Sequence, residues 1–495
     1  MRQSLAICSL LAACSTPPAG ASESLLQRAP YVQNVGASTV TILWRTAGAV
    51  AHTIEYGPSP REYPYSFTEV QQATAHEVTL SGLEPGTQYY YRIVEDGITL
   101  ADGAALHFRT DPGRAQTDFQ FFVTADVGVD SPSESHQYDT QAMIRSVSPP
   151  ADLGLLAGDI VYPDGDSRDY DEYLMAPWAE LLCNTPVWPA LGNHDWQSNP
   201  EHNFVREWAL PNNEHYYSFD FANAHFIALD TMNGSLFEEA DQLAWLQQDL
   251  AGNTNATWTF VYFHHPLITC TYKGNENRLA AQLTPLFERY AVDIVFTGHA
   301  HTYERLYPSF QGTPLHQDQD PHYQDPSAPI YVVSGCGGKI KPAEPTSYCG
   351  PTAFYMDERI LFTQVFVRGH ALALFAIDSV NGGLVDAMSI VKNPNPTSVR
   401  VATPRSRLLA NVPNPFNPAT FIPFEIPATT HVRLDVYGAD GRRITRLSDS
   451  AYPAGQHRVL WNGVDQRGQS VPSGVYVVRM RAAGRTVTRK VTLLR

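Results

Sequence analysis

Five short motifs follow one another through the middle of the chain: Asp126-Val127-Gly128, Gly158-Asp159-Ile160-Val161-Tyr162, Gly192-Asn193-His194-Asp195, Val261-Tyr262-Phe263-His264 and Gly298-His299-Ala300-His301. Together they hold two aspartates, a tyrosine, an asparagine and three histidines as candidate ligands. All are oxygen or imidazole donors, which suit hard or borderline metal ions. Any one of these motifs alone is weak evidence, since 17 histidines scatter some pairs by chance. Five in order are a ligand constellation, because each stands where an apolar run gives way to polar residues. The glycines in four of the five motifs let the backbone turn sharply at strand ends, so that the donors converge.

Such donors need rigid elements to carry them. The stretches FQFFVT (119–124), DLGLLA (152–157), HFIALD (225–230), WTFVYF (258–263) and DIVFTG (293–298) are short apolar runs with polar flanks, the pattern of buried strands. The shorter VWPAL stands before Gly192. Helical spacing lies between them in DTQAMIRSV, RDYDEYLMAPWAELL, EEADQLAWLQQDL and ENRLAAQLTPLFERY. Residues 118–392 therefore read as an α/β layered domain, whose ligand sites lie beyond the carboxyl ends of its strands.

The flanks are different. Residues 28–111 read as an all-β sandwich with Trp44 in its core. Its stretch Leu83-Glu84-Pro85-Gly86-Thr87-Gln88-Tyr89 resembles the tyrosine corner of fibronectin type III domains. Residues 393–408 are a Pro/Ser/Thr linker, and 409–495 are all-β again. Three domains suit 495 residues. A hydrophobic content of 43% rules out wholesale disorder. The net charge of −16 argues against a nucleic-acid scaffold role. That charge is uneven: residues 401–495 hold 14 Lys+Arg against 5 Asp+Glu, so the tail is basic and the remainder strongly acidic. The tail thus reads as a module with a task of its own.

The first 21 residues have the form of an export signal, with Arg2 ahead of a short apolar run from Leu5 to Cys14. Two processing routes compete. Ala19-Gly20-Ala21 fits small-residue cleavage, whereas Leu11-Ala12-Ala13-Cys14 resembles a lipoprotein box that would leave a lipid anchor on Cys14. Of the remaining cysteines, Cys336 and Cys349 lie close in sequence around a loop and are the expected disulfide pair.

The order of the five motifs resembles the calcineurin-like metallophosphoesterases, and among them the purple acid phosphatases, over about residues 28–392 when the preceding sandwich is included. The fold this implies is a four-layer β-sandwich core flanked by helices, with all-β sandwich modules at both ends. The wider superfamily has a histidine where Gly128 stands and an acid or amide where Tyr162 stands. The paired change trades an imidazole for a phenolate, a donor suited to Fe(III). The resemblance implies that Asp159 bridges two metals. Asp126, Tyr162 and His301 would complete the Fe(III) site. Asn193, His264 and His299 would hold a divalent Fe, Zn or Mn. His194, oriented by Asp195, would act catalytically on the phosphate or leaving group. Hydrolysis of a phosphate ester by a metal-bound hydroxide follows from that arrangement. Two departures stand out: Asp195 replaces the usual Glu, and Gly274 occupies the position of a further histidine in plant-type members, with His265 and Lys273 nearby. The tail resembles type IX secretion sorting domains of hook-capping Ig-like fold, through Asn414-Pro415-Phe416-Asn417-Pro418, Trp461-Asn462-Gly463 and Ser473-Gly474-Val475-Tyr476. The expected location is outside a bacterial cell or on its outer surface, with the secretion machinery or that surface as the tail's partner.

Phosphate monoester hydrolysis is the favoured function. A phosphodiesterase or nucleotide hydrolase would use the same metals. An adhesion protein built around a dead enzyme is the alternative of another class, and the intact donor set argues against it.

Overall fold

The computed structural model describes residues 26–494 apart from 129–135, 199, 233–239, 311, 315–319, 341–350, 395–405, 410, 412–414, 427–428, 439–440 and 454. The export signal with Cys14, the linker's central part, Cys349 and Asn414 lie outside the described residues.

Two seven-stranded sheets form the middle domain. One runs in the order Val187–Ala190, Leu153–Ala157, Asp118–Thr124, Leu361–Arg368, Ala371–Asp378, Leu384–Val391, His322–Gln324. The other runs Tyr217–Phe221, Ala224–Ala228, Trp258–Tyr262, Ile294–Thr297, Ile330–Ser334, Tyr303–Leu306, Thr352–Met356. Every apolar run read as a strand is one. The sheets are mixed, however, and not purely of the parallel α/β kind. The strands that carry the motifs pair in parallel, while Leu361–Arg368, Ala371–Asp378 and Leu384–Val391 pair antiparallel.

The sheets pack face to face through aromatic side chains. The Phe121 ring of the first lies 5.3 Å from Phe226, 5.0 Å from Phe260 and 6.2 Å from Phe296 of the second. Helices cover the outer faces, which makes four layers. The helix Asn277–Arg289 shows how: Leu279, Leu283 and Phe287 recur every four residues, fall on one face and are buried against the second sheet. Burial of each such side chain stabilises by about 1.5–3 kcal/mol. The stretch 168–182, read as one helical run, is broken into Ser167–Tyr170, a π-helical turn Asp171–Met175, and Ala179–Leu182. Pro177 lies in the break, and its missing N–H cannot continue a helix.

The N-terminal sandwich has a three-stranded sheet (Leu26–Gln33, Thr39–Val50, Ala73–Ser81) against a five-stranded one. Trp44 is in its core, as expected. The tyrosine corner forms, with the Tyr89 hydroxyl 3.0 Å from the Glu84 amide. This module and the middle domain make one compact unit. Glu207 is fully buried and receives both Arg28 and Arg45, the latter at 2.6 Å. The Tyr31 hydroxyl donates to the Glu207 carbonyl at 2.8 Å, and the Tyr91 hydroxyl to the Cys183 carbonyl at 2.8 Å. Residues from 400 onward form a second unit. There a three-stranded and a four-stranded sheet enclose a core around Phe424, Leu434, Trp461 and Tyr476. No helix among the described residues is long and apolar enough to cross a membrane.

Candidate metal centre

The parallel strands of both sheets end at the same edge of the domain. Asp118–Thr124, Leu153–Ala157 and Val187–Ala190 of the first sheet lead into Asp126, Asp159 and Asn193. Trp258–Tyr262 and Ile294–Thr297 of the second lead into His264 and His299 with His301. The loops are tied across: the Asp126 amide donates to the Gly158 carbonyl at 3.0 Å, and the Gly298 amide to the His264 carbonyl at 3.0 Å. The sharp turns fall on the ligands themselves and not chiefly on the glycines. Asp126, Asp159, His299 and His301 have φ of 56°, 50°, 70° and 46°. Strained backbone of this kind gathers at functional sites, where surrounding structure enforces it. The glycines supply room instead. A Cβ on Gly192 would lie 2.0 Å from the Asp159 nitrogen, and one on Gly158 would lie 2.5 Å from the His264 ring.

All seven expected ligands come together, in two groups that share one atom. The Tyr162 hydroxyl lies 3.0 Å from Asp126 Oδ1, 3.1 Å from Asp159 Oδ2 and 3.2 Å from His301 Nε2. His264 Nε2 lies 3.2 Å from the same Asp159 Oδ2, 3.2 Å from Asn193 Oδ1 and 3.2 Å from His299 Nδ1. Metal–ligand bonds of about 2.0–2.2 Å place neighbouring donor atoms about 3–3.4 Å apart, which is the spacing in both groups. The second oxygen of each carboxylate is held by backbone: Asp126 Oδ2 accepts from the His299 amide at 2.9 Å, and Asp159 Oδ1 from the His194 amide at 2.8 Å. His264 Nδ1 lies 3.0 Å from the Ala157 carbonyl, which fixes the tautomer and leaves Nε2 for the centre.

Electrostatics agree with a cation at each point. Burial, then Asp126 and Asp159, push the Tyr162 phenol far above its ordinary value, so only a cation would hold it as phenolate. Burial opposes charge on His264, but Asp159 overrides it and holds the imidazole up at about 9. A proton there does what a metal ion would do better. Burial, then His264, push His299 down to about 2. The residues present therefore fit two metal ions.

Two expectations need correction. Asp195 makes no hydrogen bond through its carboxylate to the His194 ring. It is buried, and its carboxylate accepts from the amides of Gly192 at 2.9 Å, Ile160 at 2.9 Å and Val161 at 3.2 Å. It clamps the Asp159 loop to the Asn193 loop, and the shorter Asp side chain suffices because both amide groups lie close. His194 is oriented instead by the Pro163 carbonyl at Nδ1. Its ring stands 4.2 Å from that of Tyr162, with Nε2 3.9 Å from Asp159 Oδ2. The expected Cys336–Cys349 disulfide is also not formed. Cys336 is a free, fully buried thiol between the sheets, and burial raises it to about 12. Cys270 is the disulfide-bonded residue, and its partner lies outside the described residues.

His265 stands in the wall of the site, its ring 4.6 Å from His299, while Lys273 is exposed beside it. Sequence reasoning missed Lys339. It follows Gly335-Cys336-Gly337-Gly338, a glycine-rich turn directly after the strand Ile330–Ser334. The amides of Gly337 and Gly338 donate to the carbonyls of Ala125 and Asp126 at 3.0 Å each. This places Lys339 Nζ 4.3 Å from the centroid of the Tyr162 ring. The run of glycines at a strand end was the available signal.

Three family models match the chain: the calcineurin-like phosphoesterases over 119–303, the N-terminal domain of purple acid phosphatases over 28–110, and the FlgD Ig-like domain over 422–485. Purple acid phosphatase 21 of Arabidopsis thaliana is 28% identical over 315 residues, which cover 58% of this chain and 66% of that protein. Acid phosphatase type 7 of Homo sapiens is 25% identical over 338 residues, 61% of this chain and 75% of that protein. Among solved structures, a purple acid phosphatase from yellow lupin (Lupinus luteus) seeds superposes with a TM-score of 0.65 at 19% identity, over 74% of this chain and 75% of that one. PhoD superposes with a TM-score of 0.53 at 15% identity, over 72% and 88%. The chain is similar to purple acid phosphatases over its first two domains. It joins a calcineurin-type metallophosphoesterase fold to β-sandwich domains at both ends.

Proposed function

We propose that this protein is an exported acid phosphatase that hydrolyses phosphate monoesters at a two-metal centre. The observation that carries the reading is the single oxygen, Asp159 Oδ2, common to both donor groups. In this reading Asp159 would serve both metals. Asp126, Tyr162 and His301 would complete the holding of an Fe(III), and Asn193, His264 and His299 that of a divalent Fe, Zn or Mn. When bound, the pair supplies Lewis-acid stabilisation of charge developing on the phosphoryl oxygens.

The chain's own groups do the rest. His194 is held at Nδ1 and turns Nε2 toward the site, where it contacts a phosphate oxygen or the leaving group. Lys339 adds positive charge at the Tyr162 side, suited to an anionic substrate. Asp195 keeps the two loops in register. Export is supported by the opening residues and by the bonded Cys270, since disulfides persist in oxidising compartments. The basic C-terminal module is a sorting or surface-binding device in this reading, and lipidation at Cys14 remains the rival to cleavage after Ala21.

Iron-replete protein should absorb broadly in the visible through phenolate-to-iron charge transfer. Tyr162→Phe should abolish the colour and keep the fold and part of the turnover. Asp159→Ala should lose both metals and essentially all turnover. Colourless iron-loaded wild type would refute the phenolate site. A panel in which diesters turn over faster than monoesters would refute the substrate class.

A further inference from the structure

A second group of imidazoles and carboxylates stands in the N-terminal sandwich, in a module without any assigned chemistry. Four chain segments supply it. His52 precedes the strand Thr53–Gly57, Glu69 follows Tyr65–Thr68, His76 lies within Ala73–Ser81, and Glu95 ends Gln88–Glu95. Both histidine side chains are fully buried, while Glu69 is 12% exposed and Glu95 17%. His76 Nδ1 lies 2.8 Å from Glu69 Oε2, and His52 Nδ1 lies 3.8 Å from the same oxygen. One donor atom from each of the three residues lies within 4.8 Å of the others.

We propose that His52, Glu69 and His76 form a divalent transition-metal site of the zinc type, separate from the catalytic centre. Two imidazoles and a carboxylate are the donor set such ions take, with about 2.0–2.2 Å bonds that put donors about 3.3 Å apart, between the two spacings seen. The outer partner of the His76 ring is in place, and a carboxylate faces the His52 ring just beyond hydrogen-bond distance. A metal-bound histidine donates its other ring N–H to a carboxylate, carbonyl or hydroxyl. His76 Nε2 stands 2.9 Å from Thr46 Oγ1, and His52 Nε2 faces Glu95 Oε2 at 3.7 Å.

A purely hydrogen-bonded cluster accounts for this arrangement less well. It leaves His52 Nε2 and Glu95 Oε2 buried with no partner, and orphaned buried groups are costly. The competitor at His52 Nδ1 is the Trp44 indole N–H, at the long distance of 3.3 Å, and the ion would displace it. Two glutamates balance the charge of a divalent ion, and Glu69 opens the entry from solvent.

The test uses the full chain, exposed to zinc at tens of micromolar, desalted, and analysed for metal per chain. Wild type should hold one zinc more than Glu69→Gln or His76→Gln, with phosphatase turnover unchanged in both. Asp159→Ala, which empties the catalytic centre, should retain one zinc per chain, and Asp159→Ala combined with Glu69→Gln should retain none. Equal zinc in wild type and both single variants would overturn the site, as would no zinc on Asp159→Ala. The Asp159→Ala arm decides alone if the sandwich variants fail to fold. The combined variant separates this site from the catalytic assignment, because failure of that assignment shows as two metals kept by Asp159→Ala/Glu69→Gln.

Discussion

The chain ends in two β-sandwiches of nearly the same size that are attached by different physics. The N-terminal one spends its polar rim on the catalytic domain. Arg28 and Arg45 converge on Glu207, and Tyr31 and Tyr91 donate to carbonyls of the middle domain. The C-terminal one spends its charges on itself. Arg446 pairs with Asp435 at 3.0 Å, and Arg433 with Asp449 at 3.1 Å, both within one sheet. The first shares a compact unit with the enzyme, and the second is a unit alone. The lesson is that a sandwich becomes part of an enzyme through a few buried charged contacts at its rim, not through its fold class.

The largest test removes the buried anchor. Glu207→Ala takes the shared carboxylate from Arg45 and Arg28 and leaves only Asp171 beside Arg28, and breaking a buried pair in this way costs about 3–5 kcal/mol. The thermal midpoint of the catalytic unit should fall sharply, and activity should be lost at correspondingly lower temperature. Asp435→Ala removes a buried carboxylate from the C-terminal module, but its partners Arg443 and Arg446 are partly exposed and Arg446 keeps Asp449 at 2.8 Å, so the effect is smaller. The substitution should lower only that module's transition in a calorimetric trace. A shift of the catalytic transition by Asp435→Ala would break the comparison.

A smaller effect comes from pH. His225 lies between Asp220 and Asp249, at 2.8 Å from each. Burial opposes its charge, yet the two carboxylates raise it to about 9. Its folded value exceeds the ordinary 6.5, so its stabilisation is complete below about pH 6.5 and is lost as pH rises through 9, by about 3 kcal/mol in all. His225→Gln should therefore lower the catalytic unit's midpoint at pH 6 and hardly at all near pH 10. The C-terminal transition should not respond. A cost that is the same at both pH values would show that packing, not charge, holds this imidazole.

The smallest expected effect is none. Removal of residues 409–495 should leave turnover and the catalytic transition unchanged while altering where the protein is delivered in its host. An insoluble or inactive truncation would show that the enzyme depends on this module, contrary to their separation into two units.

The strand-end motifs, the buried strands, the two sandwiches, Trp44 and the tyrosine corner were legible because each is a local matter. Apolar runs with polar flanks must be buried, glycine must stand where backbone or ligand crowds in, and donor types limit the metal. What the tertiary structure decided is what needs two distant segments at once. That Asp159 Oδ2 belongs to both donor groups depends on two sheets packed face to face with their parallel strands ending on the same side. The task of Asp195 changed from orienting His194 to tying loops, because the amides of Ile160 and Gly192 happen to lie within its reach. Proximity in sequence favoured Cys336 as a disulfide partner, but the strand before it carries that thiol into the sealed space between the sheets. The placement of Lys339 beside Tyr162, of Arg28 against Glu207 and of His52 near His76 has no local signature, since side-chain chemistry is written residue by residue while distance is set only by the packed fold.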